Sequence, residues 1–202
     1  MYGASECGAV AVASAGVLAR SPSAAGFVLP GVTVEIVDDQ DANVAVGELG
    51  HVRIRSDRVA GGYLRGGEAS AFRDGWFRPG DLGRLDADGL LSLEGRADDL
   101  MNVRGQKVLP AWIEAAARTA SGVQEVAAFS VIDAEGWERV WIAVVANEAF
   151  SEPALAQALR HQLADAEKIS WLKVDRLPRN AMGKVERNRL RDRARMMMQA
   201  SG

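Results

Sequence analysis

Short segments in which apolar and polar residues alternate dominate the first half of the chain. Residues 32–37 and 49–55 both alternate in this way. Alternation with a period of two residues is typical of half-buried strands. Residues 82–85 and 90–93 flank a polar segment that ends in Asp-Gly, a pair that favours a tight hairpin. Up to about residue 94, the pattern therefore predicts small antiparallel sheets with few helices.

The second half of the chain mixes strand and helix patterns. The predicted strands are residues 101–103, 108–109, 124–132, 140–146 and 169–174. The predicted helices are residues 111–119 after Pro110, a segment capped by Ser151, and residues 186–199. The apolar stripe of the Ser151 helix comprises Leu155, Leu159, Leu163 and Ala166. This order predicts an α+β layer structure, with a seam near residues 95–99.

The composition is that of a soluble globular protein, with 48% hydrophobic and 25% charged residues among 202. A net charge of −3 gives no general attraction to nucleic acid or anionic membranes, so we expect neither as a partner. Residues 8–18 are apolar but too few to span a bilayer. The single cysteine, Cys7, excludes an internal disulfide framework and suits a reducing compartment. We therefore expect a cytoplasmic protein without a membrane span.

The strongest local signal is the Gly183-Lys184 pair near the end of the chain. A glycine followed by a lysine suggests phosphate contact, but a P-loop would also need Gly at 178 and Ser or Thr at 185, where Pro and Val stand. Taken alone, the segment could equally be a solvated basic loop before a helix. The remainder of the chain is needed to decide between these interpretations.

Eight short motifs occur in a fixed order along the chain: Y-G-A-S-E at 2–6, G-E-L at 47–49, G-G-Y-L at 61–64, W-F-R-P-G-D at 76–81, G-R-A-D-D at 95–99, R-G at 104–105, P-A-W-I-E at 110–114 and P-R-N-A-M-G-K at 178–184. Together they resemble the core motifs of the adenylate-forming superfamily. This superfamily comprises acyl-CoA synthetases, aryl-CoA ligases, peptide-synthetase adenylation domains and luciferases. The resemblance covers essentially the whole chain, and the ordered set is far more specific than any single motif.

The resemblance implies a two-step ligase reaction. A carboxylic acid attacks the α-phosphate of ATP to give an acyl-adenylate and pyrophosphate, and a thiol then displaces AMP. The implied cofactors are ATP or AMP, Mg²⁺ and coenzyme A, and the implied thiol belongs to coenzyme A or to a carrier protein. Both steps build negative charge on crowded oxygens, so positioned cations and hydrogen-bond donors are the main catalytic need.

The first motif of the resemblance implies adenine, phosphate and metal contacts. Tyr2 and Gly3 match positions that pack against adenine, although a simple turn would also account for them. Ser5 stands where the family usually has threonine and keeps a hydroxyl for a phosphate oxygen. Glu6 matches the acid associated with Mg²⁺, a cation that prefers oxygen ligands.

Later motifs imply a ribose contact and a hinge. Asp81 matches the acid that accepts hydrogen bonds from both ribose hydroxyls. The alternative interpretation of Asp81 is a lone acid in a surface turn. Pro79 departs from the hydroxyl residue that is common in the family at that position. Arg96 matches a cation near ribose and phosphate, and Asp98 matches the hinge of a mobile lid, although paired acids also suit a plain linker.

Two further positions of the resemblance concern the acceptor thiol and the first chemical step. Gly105 matches the hairpin glycine beside the pantetheine tunnel, where a missing Cβ lets the thiol arm approach. Arg104 and Lys107 are weaker candidates for coenzyme A phosphates, and Asn102 replaces a frequent lysine. Lys184 matches the lysine that bridges the acid and the α-phosphate, and it is our strongest candidate for a catalytic residue.

The resemblance predicts residues 1–96 as the β-rich end of a large AMP-binding domain and residues 97–202 as a mobile α+β lid. The family's large domain extends well upstream of Tyr2, so we expect little activity from these residues alone and a missing N-terminal partner. The alternatives are an adenylation domain that loads a carrier protein and a non-catalytic interaction module. The acid substrate is not readable from this part of the sequence.

The other conspicuous residues are given structural interpretations. Residues 196–198, three methionines, are predicted to close the last helix against the core. Residues 187–195 are rich in arginine but contain interleaved acids, which favours a solvated helix face. His51 and His161 lack metal-ligand spacing. Packing roles are predicted for Trp112, Trp137, Trp141 and Trp171.

Overall fold

The computed structural model describes residues 1–63, 69–103, 105–161, 163 and 169–200. The chain divides into two compact units, Met1–Asp98 and Asp99–Gly202. Within the described ranges, no helix is both long and apolar enough to cross a membrane. The α+β class with antiparallel sheets, predicted from the sequence pattern, is confirmed.

The first unit is built on one antiparallel sheet. Its strand order is β1-β2-β3-β9-β8-β5-β7-β6, and β4 pairs with β5 beside this path. A short helix, α1 (Ala15–Arg20), is capped by the Ser14 side chain. The strands are β1 (Tyr2–Ala4), β2 (Gly8–Val12), β3 (Ala24–Val28), β4 (Thr33–Val37), β5 (Gly50–Arg55), β6 (Phe72–Arg73), β7 (Trp76–Phe77), β8 (Asp81–Leu85) and β9 (Leu90–Arg96).

The core of the first unit follows from the two-residue period of its strands. In β5, Val52 and Ile54 are buried while the side chains between and beside them are half-buried or exposed. Strand β4 pairs with β5 in register and buries Val34 and Ile36 on the same side. Each such side chain contributes about 1.5–3 kcal/mol when fully buried. The alternating pattern therefore fixes which face of β4 and β5 packs inward.

The second unit is a three-stranded sheet with helices on both faces. Strand β12 (Val123–Ile132) pairs antiparallel with β13 (Glu138–Ala146), and β14 (Ser170–Lys173) runs parallel to β13. A hairpin of β10 (Met101–Val103) and β11 (Gln106–Val108) precedes them. The helices are α2 (Pro110–Ala117), α3 (Glu152–Leu159) and α4 (Arg187–Ala200).

Both faces of this sheet are buried, which explains its nearly continuous apolar strands. Along β12, Val126 and Ala128 join the cluster that contains α2 and α3 residues. Ala127 and Phe129 join the opposite cluster, which contains residues of α4. Because successive side chains point to opposite faces, the part of a strand that is covered on both sides is apolar at successive positions, as residues 126–129 of β12 are.

A charged group ties the three layers together. Glu114 of α2 accepts a hydrogen bond from the backbone N–H of Ala128 in β12 at 3.0 Å. Arg187 at the start of α4 contacts the same carboxylate at 2.8 Å and donates to the carbonyl of Ala128 at 3.0 Å. The pair therefore passes beside β12 and joins a helix on one face to a helix on the other.

Several predicted details differ from the structure. Helix α3 ends at Leu159, although Leu163 is buried and Ala166 lies outside the described residues. Trp137 is 67% exposed, so the predicted packing role is wrong: it lies at the end of the turn between β12 and β13, where none of the described elements covers it. The remaining predicted tryptophans pack against the cores of the second unit, namely Trp112, Trp141 and Trp171.

The prediction for the three terminal methionines is correct for one of them. Leu190 and Ala194 are buried on α4, and Met198 packs against the same cluster. These residues recur every four positions and so share one helix face. Met196 and Met197 fall off that stripe and are exposed, because α4 buries only its narrow inner face.

Candidate functional site

A carboxylate held by two neighbouring side chains is the central feature of the first unit. Asp81 begins β8 and lies opposite Arg96, the last residue of β9. The Tyr2 hydroxyl donates to Oδ2 of Asp81 at 2.6 Å, and Nη1 of Arg96 donates to Oδ1 at 3.2 Å. Each carboxylate oxygen can accept two hydrogen bonds, so each retains acceptor capacity. The group can therefore hold the charge of Asp81 and still receive two donors from a ligand.

The protonation states of Tyr2 and Arg96 suit these roles. Burial raises the pKa of the Tyr2 hydroxyl far above its ordinary value, and the hydrogen bond to Asp81 raises it further. Partial burial acts to lower the pKa of Arg96, but the charges of Asp81 and Asp98 outweigh it and raise that pKa. Tyr2 is therefore a permanent donor, and Arg96 a permanent cation, at any physiological pH.

The turn before Asp81 depends on a glycine and on backbone contacts. Gly80 has a φ of +83°, and a Cβ placed on it would lie 3.0 Å from Nη2 of Arg96. Nη1 of Arg96 also donates to the carbonyl of Pro79 at 2.7 Å. Pro79, where the family commonly has a hydroxyl residue, thus contributes through its backbone. Arg96 braces both the turn and the carboxylate.

The strands behind this turn are pinned by charged side chains. Nη1 of Arg78 contacts Oδ1 of Asp41 at 2.8 Å. Trp76 lies under two guanidinium groups, those of Arg53 and Arg55, each 4.5 Å from the centre of a Trp76 ring. These contacts give the W-F-R-P-G-D motif a structural role, which is to fix the approach of the chain to Asp81.

Glu6 is an exposed carboxylate with two hydroxyl donors. Ser5 donates to Oε2 at 3.0 Å, and the Tyr63 hydroxyl donates to Oε1 at 3.2 Å. The pKa of Glu6 is lowered, first by its own backbone N–H and then by Ser5. Across the described residues, no three His, Cys, Asp or Glu side chains are grouped to hold a metal by themselves. A metal at Glu6 would need ligands from a substrate or from water.

Gly3 has a packing reason to be a glycine. A Cβ on Gly3 would lie 2.3 Å from the carbonyl oxygen of Gly8 in the paired strand β2. This is far inside contact distance, so β1 and β2 could not keep their spacing. The motif residue is therefore explained by the fold, whether or not adenine also lies against it.

Asp98 lies in the last turn of the first unit, where the chain passes to the second. A short 3-10 helix, Ala97–Asp99, follows β9, and the boundary between the units falls after Asp98. Nε of Arg96 donates to Oδ1 of Asp98 at 3.3 Å. Asp98 is thus connected to the Asp81 group through a single guanidinium.

Gly105, in the second unit, sits in an open hairpin turn. It has a φ of +89°, and no heavy atom lies within 4 Å of an added Cβ. Its N–H donates to Oδ1 of Asn102 at 2.8 Å, so Asn102, which replaces a frequent lysine, shapes the turn. Gly105 lines a pocket of about 930 Å³ together with Trp137 and Ile132. Arg104 lies outside the described residues.

Lys184 is exposed on an ordered loop. Oδ1 of Asn180 accepts hydrogen bonds from the N–H groups of Met182 and Lys184, both at 3.0 Å. The Asn180 N–H donates to the carbonyl of Lys184 at 2.9 Å, and Nη1 of Arg179 donates to that of Gly183 at 2.9 Å. No described residue pairs with the ammonium of Lys184. The loop fixes the backbone and leaves the cation available.

The structure thus groups the predicted residues within each unit. Ser5 with Glu6, and Tyr2 with Asp81, Arg96 and Asp98, belong to the first unit, whereas Gly105 and Lys184 belong to the second. Three residues support the site without having been predicted from the sequence: Tyr63, Arg179 and Asn180. Asn180 carried a usable signal, because an asparagine shortly before a glycine is typical of a side-chain-closed turn. Tyr63 and Arg179 stood in recognised motifs, but their partners are distant in sequence.

The chain is similar to several known proteins. A family model described as AMP-binding enzyme matches residues 1–64. The long-chain-fatty-acid–CoA ligase of Salmonella typhimurium is 32% identical over 96% of this chain and 35% of its own length. The 3-hydroxybenzoate–CoA ligase of Aromatoleum sp. is 35% identical over 86% of this chain and 35% of its own length.

A solved structure agrees with these relatives. ATP-bound MatB from Rhodopseudomonas palustris matches with a TM-score of 0.75 and 36% identity, covering 86% of this chain and 36% of that one. The chain spans about a third of the length of the relatives that it matches. From its motifs, its fold and this similarity, the chain belongs to the adenylate-forming superfamily of AMP-binding enzymes.

Proposed function

We propose that the chain is the C-terminal part of an AMP-forming acyl- or aryl-CoA ligase. Residues 1–96 would end the large AMP-binding domain, and residues 97–202 would form its mobile lid. The observation that carries the proposal is the Asp81 group, a largely buried carboxylate that is fixed by Tyr2 and Arg96 and retains acceptor capacity. The named CoA ligases among the relatives support the reaction class.

In the first half-reaction, a carboxylate oxygen of the acid attacks the α-phosphorus of ATP. The bond to the pyrophosphate oxygen breaks, and an acyl-adenylate forms. Asp81 accepts hydrogen bonds from the ribose hydroxyls, and the Tyr2 ring, whose hydroxyl is tied to Asp81, packs with Gly3 against adenine. Lys184, whose ammonium pairs with no described residue, places a compact positive charge against the charge shared by the acid and the α-phosphate, which a point charge stabilises well.

Glu6 fits the metal that this chemistry implies. Mg²⁺ prefers oxygen ligands and is commonly held by one or two carboxylates together with substrate phosphates and water. Glu6 is exposed, and its lowered pKa keeps it ionised. Glu6 would hold the ion and Ser5 would face a phosphate oxygen, while bound Mg²⁺ would supply neutralisation of phosphate charge.

In the second half-reaction, the thiol sulfur attacks the acyl carbon, the bond to the phosphate oxygen of AMP breaks, and a thioester forms. Gly105 would admit the thiol arm, because the space where its Cβ would stand is open. We propose that the lid moves about Asp98 between the two half-reactions. Domain alternation would let Lys184 and Gly105, from one unit, serve the same acyl group in turn.

The nucleotide part of this proposal can be tested on the chain itself. Calorimetry should show one AMP bound per chain, with Asp81→Asn at least tenfold weaker. The matched control is Asp57→Asn, because Asp57 is an 89% exposed acid of the same unit, paired only with Arg58 at 3.8 Å among the described residues. For 2′,3′-dideoxy-AMP, which lacks both hydroxyls, Asp81→Asn should make no further difference. Equal AMP affinity of the wild type and Asp81→Asn would refute the ribose role.

The acceptor thiol separates two versions of the proposal. The named relatives are CoA ligases, so we propose coenzyme A over a carrier protein as the acceptor. Thioester formation from a supplied acyl-adenylate, compared between free coenzyme A and a carrier protein, distinguishes them in an enzyme that contains this chain and the large domain. Absence of pyrophosphate release by that enzyme with any acid would favour a non-catalytic module. A cytoplasmic location remains a prediction from the single Cys7.

A further inference from the structure

A second pocket of the second unit is lined by arginines that have no role in the proposed reaction. It encloses about 770 Å³, a size typical of small-molecule sites. Its apolar part includes the buried side chains of Val174, Leu177 and Leu190. Four arginines line the same pocket: Arg176, Arg179, Arg189 and Arg193.

Two of these arginines already have acidic partners. Nη2 of Arg179 lies 2.5 Å from Oε2 of Glu125, another lining residue. Nη1 of Arg189 lies 3.3 Å from Oε2 of Glu186. Asp175 is the other acid of the lining. Four positive and two negative side chains therefore surround the pocket, in a chain whose net charge is −3.

The other two arginines, Arg176 and Arg193, have no hydrogen bond or ion pair with any described residue. Arg193 also lies four positions after Arg189 on α4, so the two guanidinium groups share one helix face. Like charges at this spacing destabilise a helix. The pocket therefore has a net positive charge that the described residues do not neutralise. A bound anion would reduce the repulsion between its guanidinium groups.

We propose that this pocket binds a phosphomonoester that carries a small apolar group. A guanidinium presents a planar fork of donors that matches phosphate oxygens. The two guanidinium groups that have no partner among the described residues match the two charges of a phosphate dianion. A monoanion would leave one of them unbalanced. The buried leucine and valine side chains would receive the apolar group, which inorganic phosphate lacks.

The pocket adjoins the Lys184 loop through one arginine. Arg179 lines the pocket, pairs with Glu125 and donates to the carbonyl of Gly183, the residue before Lys184. A bound phosphate competes with Glu125 for this guanidinium. Binding is therefore expected to perturb the backbone at Gly183 as well as the pocket itself. The proposal stands independently of the ligase function, since the reaction proposed above assigns no role to any residue that lines this pocket.

Phenyl phosphate is a suitable probe, and phenyl sulfate is its control with the same ring and one charge fewer. By calorimetry at pH 7.5, the 202-residue chain should bind one phenyl phosphate at least tenfold more tightly than phenyl sulfate. Lowering the pH to 5 protonates the phosphate, whose second pKa is about 6, and should weaken only phenyl phosphate binding. Amide resonances of Leu177 and Gly183 should shift on addition of the probe.

Substitution of Arg176 and Arg193 tests whether the probe binds in this pocket. Arg176→Gln with Arg193→Gln should weaken phenyl phosphate binding at least tenfold. Arg195→Gln is the matched control and should bind as the wild type does, because Arg195 lies on the same helix, pairs with Asp192 at 3.1 Å and does not line the pocket.

Three outcomes would overturn the proposal. These are unchanged affinity in the double variant, equal binding of phenyl phosphate and phenyl sulfate, and resonance shifts confined to the surroundings of Asp81. Thermal unfolding of the double variant checks that it is folded, which is expected because both arginines are exposed. If the double variant is unfolded, the single variant Arg193→Gln is measured in its place, and the same three outcomes apply to it.

Discussion

Replacement of Lys184 by alanine separates catalysis from folding. The side chain is exposed, and no described residue pairs with its ammonium, so the substitution removes no hydrogen bond or ion pair to the described residues. Exposed substitutions of this kind change the free energy of unfolding by less than about 0.5 kcal/mol. The loop itself is held by the Asn180 side chain and by backbone hydrogen bonds, all of which Lys184→Ala retains. Any loss of activity can therefore be assigned to the ammonium group.

The expected loss follows from the electrostatic role. Removal of one preorganised contact to developing charge costs about 3–4 kcal/mol of barrier, which is about 10²- to 10³-fold in rate. This loss should fall on adenylate formation, because the ammonium is proposed to act between the acid and the α-phosphate. Thioester formation from a supplied acyl-adenylate should change by less than about threefold, since its barrier is reached without that contact.

The assay uses an enzyme in which this chain is joined to its large domain. Pyrophosphate release reports the first half-reaction, and thioester formation from synthetic acyl-adenylate reports the second. Lys173→Ala is the matched control, because Lys173 is an exposed lysine of the same unit, on β14, and should leave both rates unchanged. Equal losses in both half-reactions for Lys184→Ala would refute the assigned role, as would full retention of pyrophosphate release.

Three further predictions concern positions that the structure explains. Tyr2→Phe removes a 2.6 Å hydrogen bond to a carboxylate, worth about 1.5–3 kcal/mol, and calorimetry should show AMP affinity at least tenfold lower; unchanged affinity would contradict the positioning role. Gly80→Ala should lower the free energy of unfolding in urea by about 1–3 kcal/mol, and by more than Gly75→Ala, whose φ of +77° is similar but whose Cβ meets nothing within 4 Å. Glu114→Ala should destabilise the second unit by about 3 kcal/mol, because it leaves Arg187 partly buried without its partner at 2.8 Å; a loss below about 1 kcal/mol would show that solvent replaces the pair.

The sequence predicted most accurately those elements in which the pattern of apolar residues coincides with the buried face. Strands β4 and β5 alternate because one of their faces is buried, and that alternation is visible in the sequence. The Ser151 cap was predicted because capping is a local interaction between near neighbours, and in the structure the Ser151 side-chain oxygen accepts a hydrogen bond from the Ala154 N–H. The end of α3 and the exposure of Trp137 were not predicted, because both depend on which other elements cover those residues.

The candidate site likewise has residues that the sequence predicted and contacts that it did not. The motifs named Asp81 and Lys184 as functional candidates, but the residues that hold them are far away in the chain. Tyr2 reaches Asp81 across 79 positions, and Glu125 reaches Arg179 across 54. No periodicity or spacing encodes such pairs, since they arise only when strands from distant segments pair. The four-arginine pocket was likewise invisible, because in sequence its helix looked like an ordinary solvated face.

By itself, the sequence determined the family, the class of fold, most strands and helices, and the chemical types at the site. These depend on residue identity and on spacing within a few turns of chain. Only the tertiary structure decided that Tyr2 and Arg96 share one carboxylate, that Asn180 holds the backbone of Lys184, and that two arginines without a partner in the described part of the chain line one pocket. The physical reason is that hydrogen bonding and charge act over a few ångströms of space, whatever the separation along the chain.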